Sequence, residues 1–121
     1  MASNPNVTVP GTVFVGGSGV LITNQSVAYS FSGAGTIGGT APMNKWGTNR
    51  LTLDVTSELP LTIHQGIVEG AGAIGATVVE SGSKLNFSGS INRLATSGAT
   101  TLLPGATVAN TVSVEAGTLT N

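Results

Sequence analysis

The residues of this chain whose types could do chemistry are few: one histidine, five carboxylates and two glycine-rich hexads in 121 residues. His64, as a lone imidazole, could act as a general base or a metal ligand. A serine nucleophile would need His64 oriented by Asp54, yet no nucleophile-elbow motif accompanies any serine. A metal site would have to be completed by carboxylates and Asn, because the chain has no cysteine. His64 is therefore expected to be a hydrogen-bonding residue at a strand end, or a subunit contact. Asp54, Glu58, Glu69, Glu80 and Glu115 could pair as the acid and base of a glycosidase. Glu69, Glu80 and Glu115 each follow a valine at matching places in a repeat, which suits solvated corners that discourage stacking. Gly33-Ala34-Gly35-Thr36-Ile37-Gly38 and Gly70-Ala71-Gly72-Ala73-Ile74-Gly75 are formal dinucleotide fingerprints. That chemistry needs a helix directly after the glycines and an acidic residue about 20 positions further on. Gly75 is followed instead by Ala76-Thr77-Val78-Val79-Glu80-Ser81-Gly82, a strand and a turn. No catalytic, cofactor-binding or metal-binding residue is expected.

Composition narrows the field further. Gly, Thr, Ser and Asn make up nearly half the chain, and charged residues only 7%, against about 25% in an ordinary domain. Four Lys and Arg residues cannot neutralise a run of phosphates, so no nucleic-acid partner is expected. The longest apolar stretches, such as Val13 to Val15 and Val20 to Ile22, are too short to span a membrane. One Trp and one Tyr cannot supply the aromatic girdles of a membrane barrel. The first residues lack the basic start and apolar run of a secretion signal. A surface of Thr, Ser and Asn with few charges resists self-association poorly, which implies coverage by neighbouring chains.

The elements that must carry these residues read as strands. Val7/Val9 and Val13/Val15 bracket the turn pair Pro10-Gly11, and Val27/Tyr29/Phe31, Leu51/Leu53/Val55, Leu59/Leu61/Ile63, Leu85/Phe87 and Val112/Val114 alternate with small or polar residues. No stretch sustains a helical period. Gly33 to Thr40 matches Gly70 to Thr77 at six of eight positions with an offset of 37, and Val79 to Ser83 resembles Val114 to Thr118 at an offset of 35. Pro10-Gly11-Thr12-Val13 is echoed by Pro104-Gly105-Ala106-Thr107-Val108. Spacing near 36 fits two coils of a β-solenoid with about 18 residues each. The expected fold is all-β, a short β-solenoid or β-helix-like chain that oligomerises, with a β-sandwich or jelly roll as the alternative. Residues 1–10 read as an extended arm, and 11–121 as one all-β domain with an inserted loop at 40–50.

Lys45-Trp46-Gly47-Thr48-Asn49-Arg50-Leu51-Thr52-Leu53 resembles the Lys-x-Gly-x-Gly-x-Leu-Thr-Leu pattern of β-helical autotransporter passenger repeats, with Asn49 in place of the second Gly. Val114-Glu115-Ala116-Gly117-Thr118-Leu119-Thr120 is similar to the Val-x-x-Gly-Thr-Leu-x step of the same repeats. Phage tailspikes, fibres and some capsid-decorating proteins use comparable coils. A short Cys-free β chain that starts with Met and lacks a signal resembles, as a class, the head-decorating cement proteins of bacteriophages. That resemblance implies a non-enzymatic structural role on the virion surface, clamping subunit joints of a shell. A β-helical adhesin or passenger fragment at a bacterial cell surface, or a spike or fibre segment, is the alternative.

The implied partners are a major capsid or other shell protein and the chain itself, as a homotrimer. No cofactor is implied. Residues 40–50 hold the only Trp, one Met and two of the four basic residues, types suited to interface centres. Met43, Lys45, Trp46 and Arg50 are thus candidate contact residues, with Trp46 alternatively plugging one end of the solenoid. In the arm, Asn4, Pro5, Val7 and Val9 are candidates for adding a strand to a neighbour's sheet edge.

Overall fold

The structure, a computed structural model, describes residues 6–16, 19–23 and 28–120. Its strands stack in three columns, and every pairing is parallel. The first column runs β1 (Asn6–Thr8), the start of β4 (Tyr29–Gly38), the start of β6 (Arg50–Ser57), β8 (Ile67–Gly70), β10 (Lys84–Phe87), β12 (Ala99–Leu102) and β15 (Thr118–Thr120). The second runs β2 (Thr12–Phe14), the ends of β4 and β6, the starts of β9 (Ala73–Val79) and β11 (Ser90–Thr96), and β13 (Thr107–Val108). The third runs β3 (Val20–Thr23), β5 (Met43–Trp46), β7 (Leu61–Ile63), the ends of β9 and β11, and β14 (Val112–Val114). The chain is a three-sided β-solenoid, and a sandwich, whose strands pair antiparallel, is excluded.

The sequence repeats are successive coils. Arg50 pairs with Ile67 and Ile67 with Lys84, so the central coils take 17 residues each. Thr36 pairs with Thr56 and Thr56 with Ala73, which places the two glycine-rich hexads two coils apart on one corner. Val79 pairs with Thr96 and Thr96 with Val114, which explains the second repeat in the same way. Thr12 and Thr107 likewise lie in one row, so the two Pro-Gly motifs share a corner at opposite ends. Glu69 departs from this pattern. It lies within β8, whereas Glu80 and Glu115 follow the third column. The three glutamates are therefore not equivalent.

Period-two alternation sends one set of side chains inward on every side. Leu51, Val68 and Leu85 stack in the first column, Ile74 and Ile91 in the second, and Met43 and Leu61 in the third, all buried. Inward hydroxyls are satisfied within the coil: Thr77 Oγ1 donates to the Gly75 carbonyl (3.0 Å) and Thr100 Oγ1 to Thr96 Oγ1 (3.0 Å). Residues 40–50 form no separate loop. Met43–Trp46 is the second rung of the third column, paired on both sides, and only 47–49 turn before β6. Of the expected arm, residues 6–8 pair with β4 of the same chain, and Asn4 and Pro5 lie outside the described residues.

The corner between the first two columns shows why glycine recurs. The amides of Gly35 and Gly72 donate to the Val9 and Leu53 carbonyls of the preceding coil, at 2.8 and 3.1 Å. Gly70 has φ of 142°, and a Cβ there would collide with the Leu53 carbonyl. Gly11 has open space around it and an ordinary φ. Gly70→Ala should thus cost about 2–4 kcal/mol in urea unfolding. Gly11→Ala should stay within about 0.5 kcal/mol of the parent. Equal effects would show that the corner has room to relax.

Candidate functional site

The densest polar constellation sits on three successive rungs of the third column, β5, β7 and β9. Alternation along β5 points Asn44 and Trp46 outward and Lys45 inward. His64 follows β7 and donates its amide to the Lys45 carbonyl (2.8 Å), which sets its ring one rung from Trp46. Glu80 follows β9 and donates its amide to the Ile63 carbonyl (3.0 Å), one rung further on. The Trp46 and His64 rings stack with centroids 4.0 Å apart and planes 6° from parallel. That separation follows from the spacing of adjacent strands, about 4.8 Å.

His64 is held at both nitrogens. Nδ1 lies 2.7 Å from Glu80 Oε1 and Nε2 lies 2.9 Å from Asn44 Oδ1. With a neutral ring, Nδ1–H donates to Glu80, and Nε2 requires a donor, which the Asn44 amide supplies when turned by half a rotation. With a protonated ring both acceptors stand as placed. Either way the imidazole bridges three coils. Neither nitrogen is free to take a proton from a hydroxyl, and Asp54 stands on a different corner, where its Oδ1 accepts from the Ala71 amide (2.9 Å).

Lys45 lies behind this face, fully buried in the inward row between Ile22 and Ile63. Its Nζ donates to the carbonyls of Trp46 (2.9 Å), Gly47 (2.7 Å) and Gln65 (3.4 Å). Gln65 Oε1 in turn accepts from the Gly47 amide (3.1 Å). The ammonium therefore caps the orphan carbonyls of two adjacent corners. Desolvation by burial lowers its pKa from 10.5 to about 8.

The remaining glutamates lie apart from this constellation, with Glu58 lining a hollow beside Thr56, Pro60 and Ile74. Glu69 pairs with Arg50 (Oε1 to Nε, 3.3 Å) on the surface and shares a shallow hollow with Asp54, Asn86 and Ser88. Glu80 and Glu115 flank another hollow with Ser81 and Ser97. Among the described residues no three His, Asp or Glu side chains cluster as a metal site would require. The expected contact residues divide. Trp46 and Arg50 are exposed, whereas Val9, Met43 and Lys45 point into the chain's own core and cannot touch a partner. Burial of the inward row is the reason, since odd positions of β5 face the solenoid interior. The side chain of Val7 lies outside the described residues. Sequence reading missed the Asn44–His64–Glu80 bridge, although the separations of 20 and 16 residues are each about one coil.

Comparison with protein-family models, curated proteins and solved structures returned no match. Function must therefore be argued from the surfaces themselves.

The lowered pKa of Lys45 has a signed consequence. The unfolded chain binds this proton up to about pH 10.5 and the folded chain only up to about 8, so stability rises with pH between those values. The penalty is fully present below pH 8 and relieved above 10.5. Thermal melts should show a gain of up to about 3 kcal/mol across that window, and Lys45→Met should remove this pH dependence. A parent curve as flat as that of Lys45→Met would show that Nζ reaches water.

Proposed function

We propose that this β-solenoid is a non-enzymatic structural protein of a bacteriophage particle, a decoration protein that lies on the outside of the shell and braces subunit joints. One observation carries the reading: the third side of the solenoid presents an outward row with no charged side chain. Its outward row is Leu21, Asn44, Thr62, Val78, Ala95 and Ser113. Leu21 is 67% exposed, Val78 42%, and Trp46 at the strip's border 42%. A β face of this kind, with a Trp anchor held in place by stacking on His64, suits complementarity to another protein surface. The strip runs along successive coils, so it can cross a joint rather than fill a pocket. Arg50 and Glu69 pair on the neighbouring side and add polar contacts at the rim. The likeness of residues 45–53 and 114–120 to passenger coils supports a second reading, a segment of a β-helical surface adhesin.

Gradient sedimentation of the native source material, with intact mass recorded in every fraction, separates the two. A species of 11.9 kDa travelling with megadalton particles is the expected result. The same residues found only within a much larger cell-surface polypeptide would replace the shell reading with the adhesin. On purified shells, Trp46→Ala should weaken attachment about 30-fold, the loss typical of a buried Trp anchor. Its melting temperature should change little. A collapse in melting with unchanged attachment of the folded fraction would assign Trp46 to the fold alone.

A further inference from the structure

The two partners of His64 differ in what they can offer. Glu80 as a carboxylate only accepts, and its Oε1 lies 2.7 Å from Nδ1. Which nitrogen of a neutral imidazole keeps its hydrogen is set by the bond the other makes. Nδ1 must therefore carry a hydrogen whether the ring is charged or neutral. The proton that the ring can exchange is the one on Nε2, which faces Asn44 at 2.9 Å.

Asn44 is the partner that can change. Its carboxamide accepts at one end and donates at the other. A protonated ring needs Oδ1 at Nε2. A neutral ring needs the NH2 group there, and a half-turn of the amide brings it. The end that His64 does not use has no partner among the described residues. Asn44 is half-exposed on the outward row, between Leu21 and Thr62. That unused end is therefore what the third side presents at this position.

Other charges near the ring do not compete for Nε2. Lys45 of β5 lies behind it, with Nζ committed to three backbone carbonyls. Glu115 follows β14, two rungs beyond Glu80 and further from Asn44. Strands β3 and β7 carry no charged residue.

We propose that His64 is a proton-controlled selector of hydrogen-bond polarity on the third side. With the ring protonated, Asn44 turns its NH2 group outward and the row presents a donor. When Nε2 gives its proton to solvent, Asn44 turns Oδ1 outward and the row presents an acceptor. An imidazole exchanges such a proton between about pH 5 and 8. Mild acid thus reverses the polarity of one surface position while the Glu80 bond and the Trp46 stack stay in place. A protein seated on Asn44 must offer an acceptor in the first state and a donor in the second. The chemistry lies within this chain and does not depend on the shell reading.

Long-range proton–nitrogen NMR on the isotope-labelled full-length chain tests this directly, because His64 is the only histidine. Across a titration from about pH 5 to 9, Nδ1 is expected to keep the shift of a protonated nitrogen. Nε2 should pass from the protonated to the unprotonated range. The Asn44 side-chain NH2 resonances should move with the same midpoint, as they exchange solvent for Nε2. In Glu80→Ala the acceptor at Nδ1 is gone, so the neutral ring should carry its hydrogen on Nε2 and Asn44 should cease to respond. Circular dichroism checks that variant, and the parent titration decides the matter even if it does not fold. A neutral parent ring with its hydrogen on Nε2 overturns the proposal. So does a ring that does not titrate in this range, an Asn44 amide that ignores the titration, or a folded Glu80→Ala ring that behaves like the parent's.

Discussion

Each coil of this protein depends on its neighbour for backbone hydrogen bonds. A parallel strand cannot satisfy its own N–H and C=O groups, and here the partner lies a full coil away, 17 residues along at the centre of the chain. This constraint explains the corners as well as the sides. Where strands turn from the first column to the second, the chain must run close enough for Gly35 and Gly72 to reach the preceding carbonyls. A side chain at Gly70 would stand where the Leu53 carbonyl lies. Burial is uneven along the stack: Ile22 of β3 is buried, whereas Val112 and Val114 of β14 are exposed.

Against this background the third column is notable for being fastened on both sides. Inside, Lys45 spends its three donors on the carbonyls of two corners. Outside, His64 bridges Asn44 and Glu80 across three rungs while its ring stacks on Trp46. A buried ammonium costs desolvation, and a hydrophobic residue of similar volume would avoid that cost. Such a residue would leave the carbonyls of Trp46, Gly47 and Gln65 without this donor, and buried unpaired polar groups are themselves expensive. The arrangement holds the Trp-bearing rung in register, which matters most if that rung is the one presented to a partner.

The outward and inward rows therefore differ in physical character. The sides are built of strands that pair along each column, so what varies on their outer surface is the side chains. On the third side Leu21, Trp46 and Val78 are exposed. The inward row of the third side runs from a buried Ile22 to an exposed Val114.

Much of this was legible in the order of residues. Alternation such as Leu51/Leu53/Val55 announced strands, and offsets of 35 and 37 announced coils, because a stacked coil must repeat its inward and corner residues at its own length. The glycine-rich hexads could be recognised as corners rather than phosphate loops, since strand rather than helix follows them. What composition and spacing could not show was which side of a rung each residue takes at 40–50. The Trp, Met and basic residues there suggested a loop, and stacking between β3 and β7 made them a strand instead. That stacking turned Met43 and Lys45 inward and left Trp46 outside. The joining of His64 to Glu80 and Asn44 was settled by coil register alone. Local sequence dictates alternation and turns, but the pairing of residues 16 and 20 positions apart exists only once neighbouring coils lie about 4.8 Å apart.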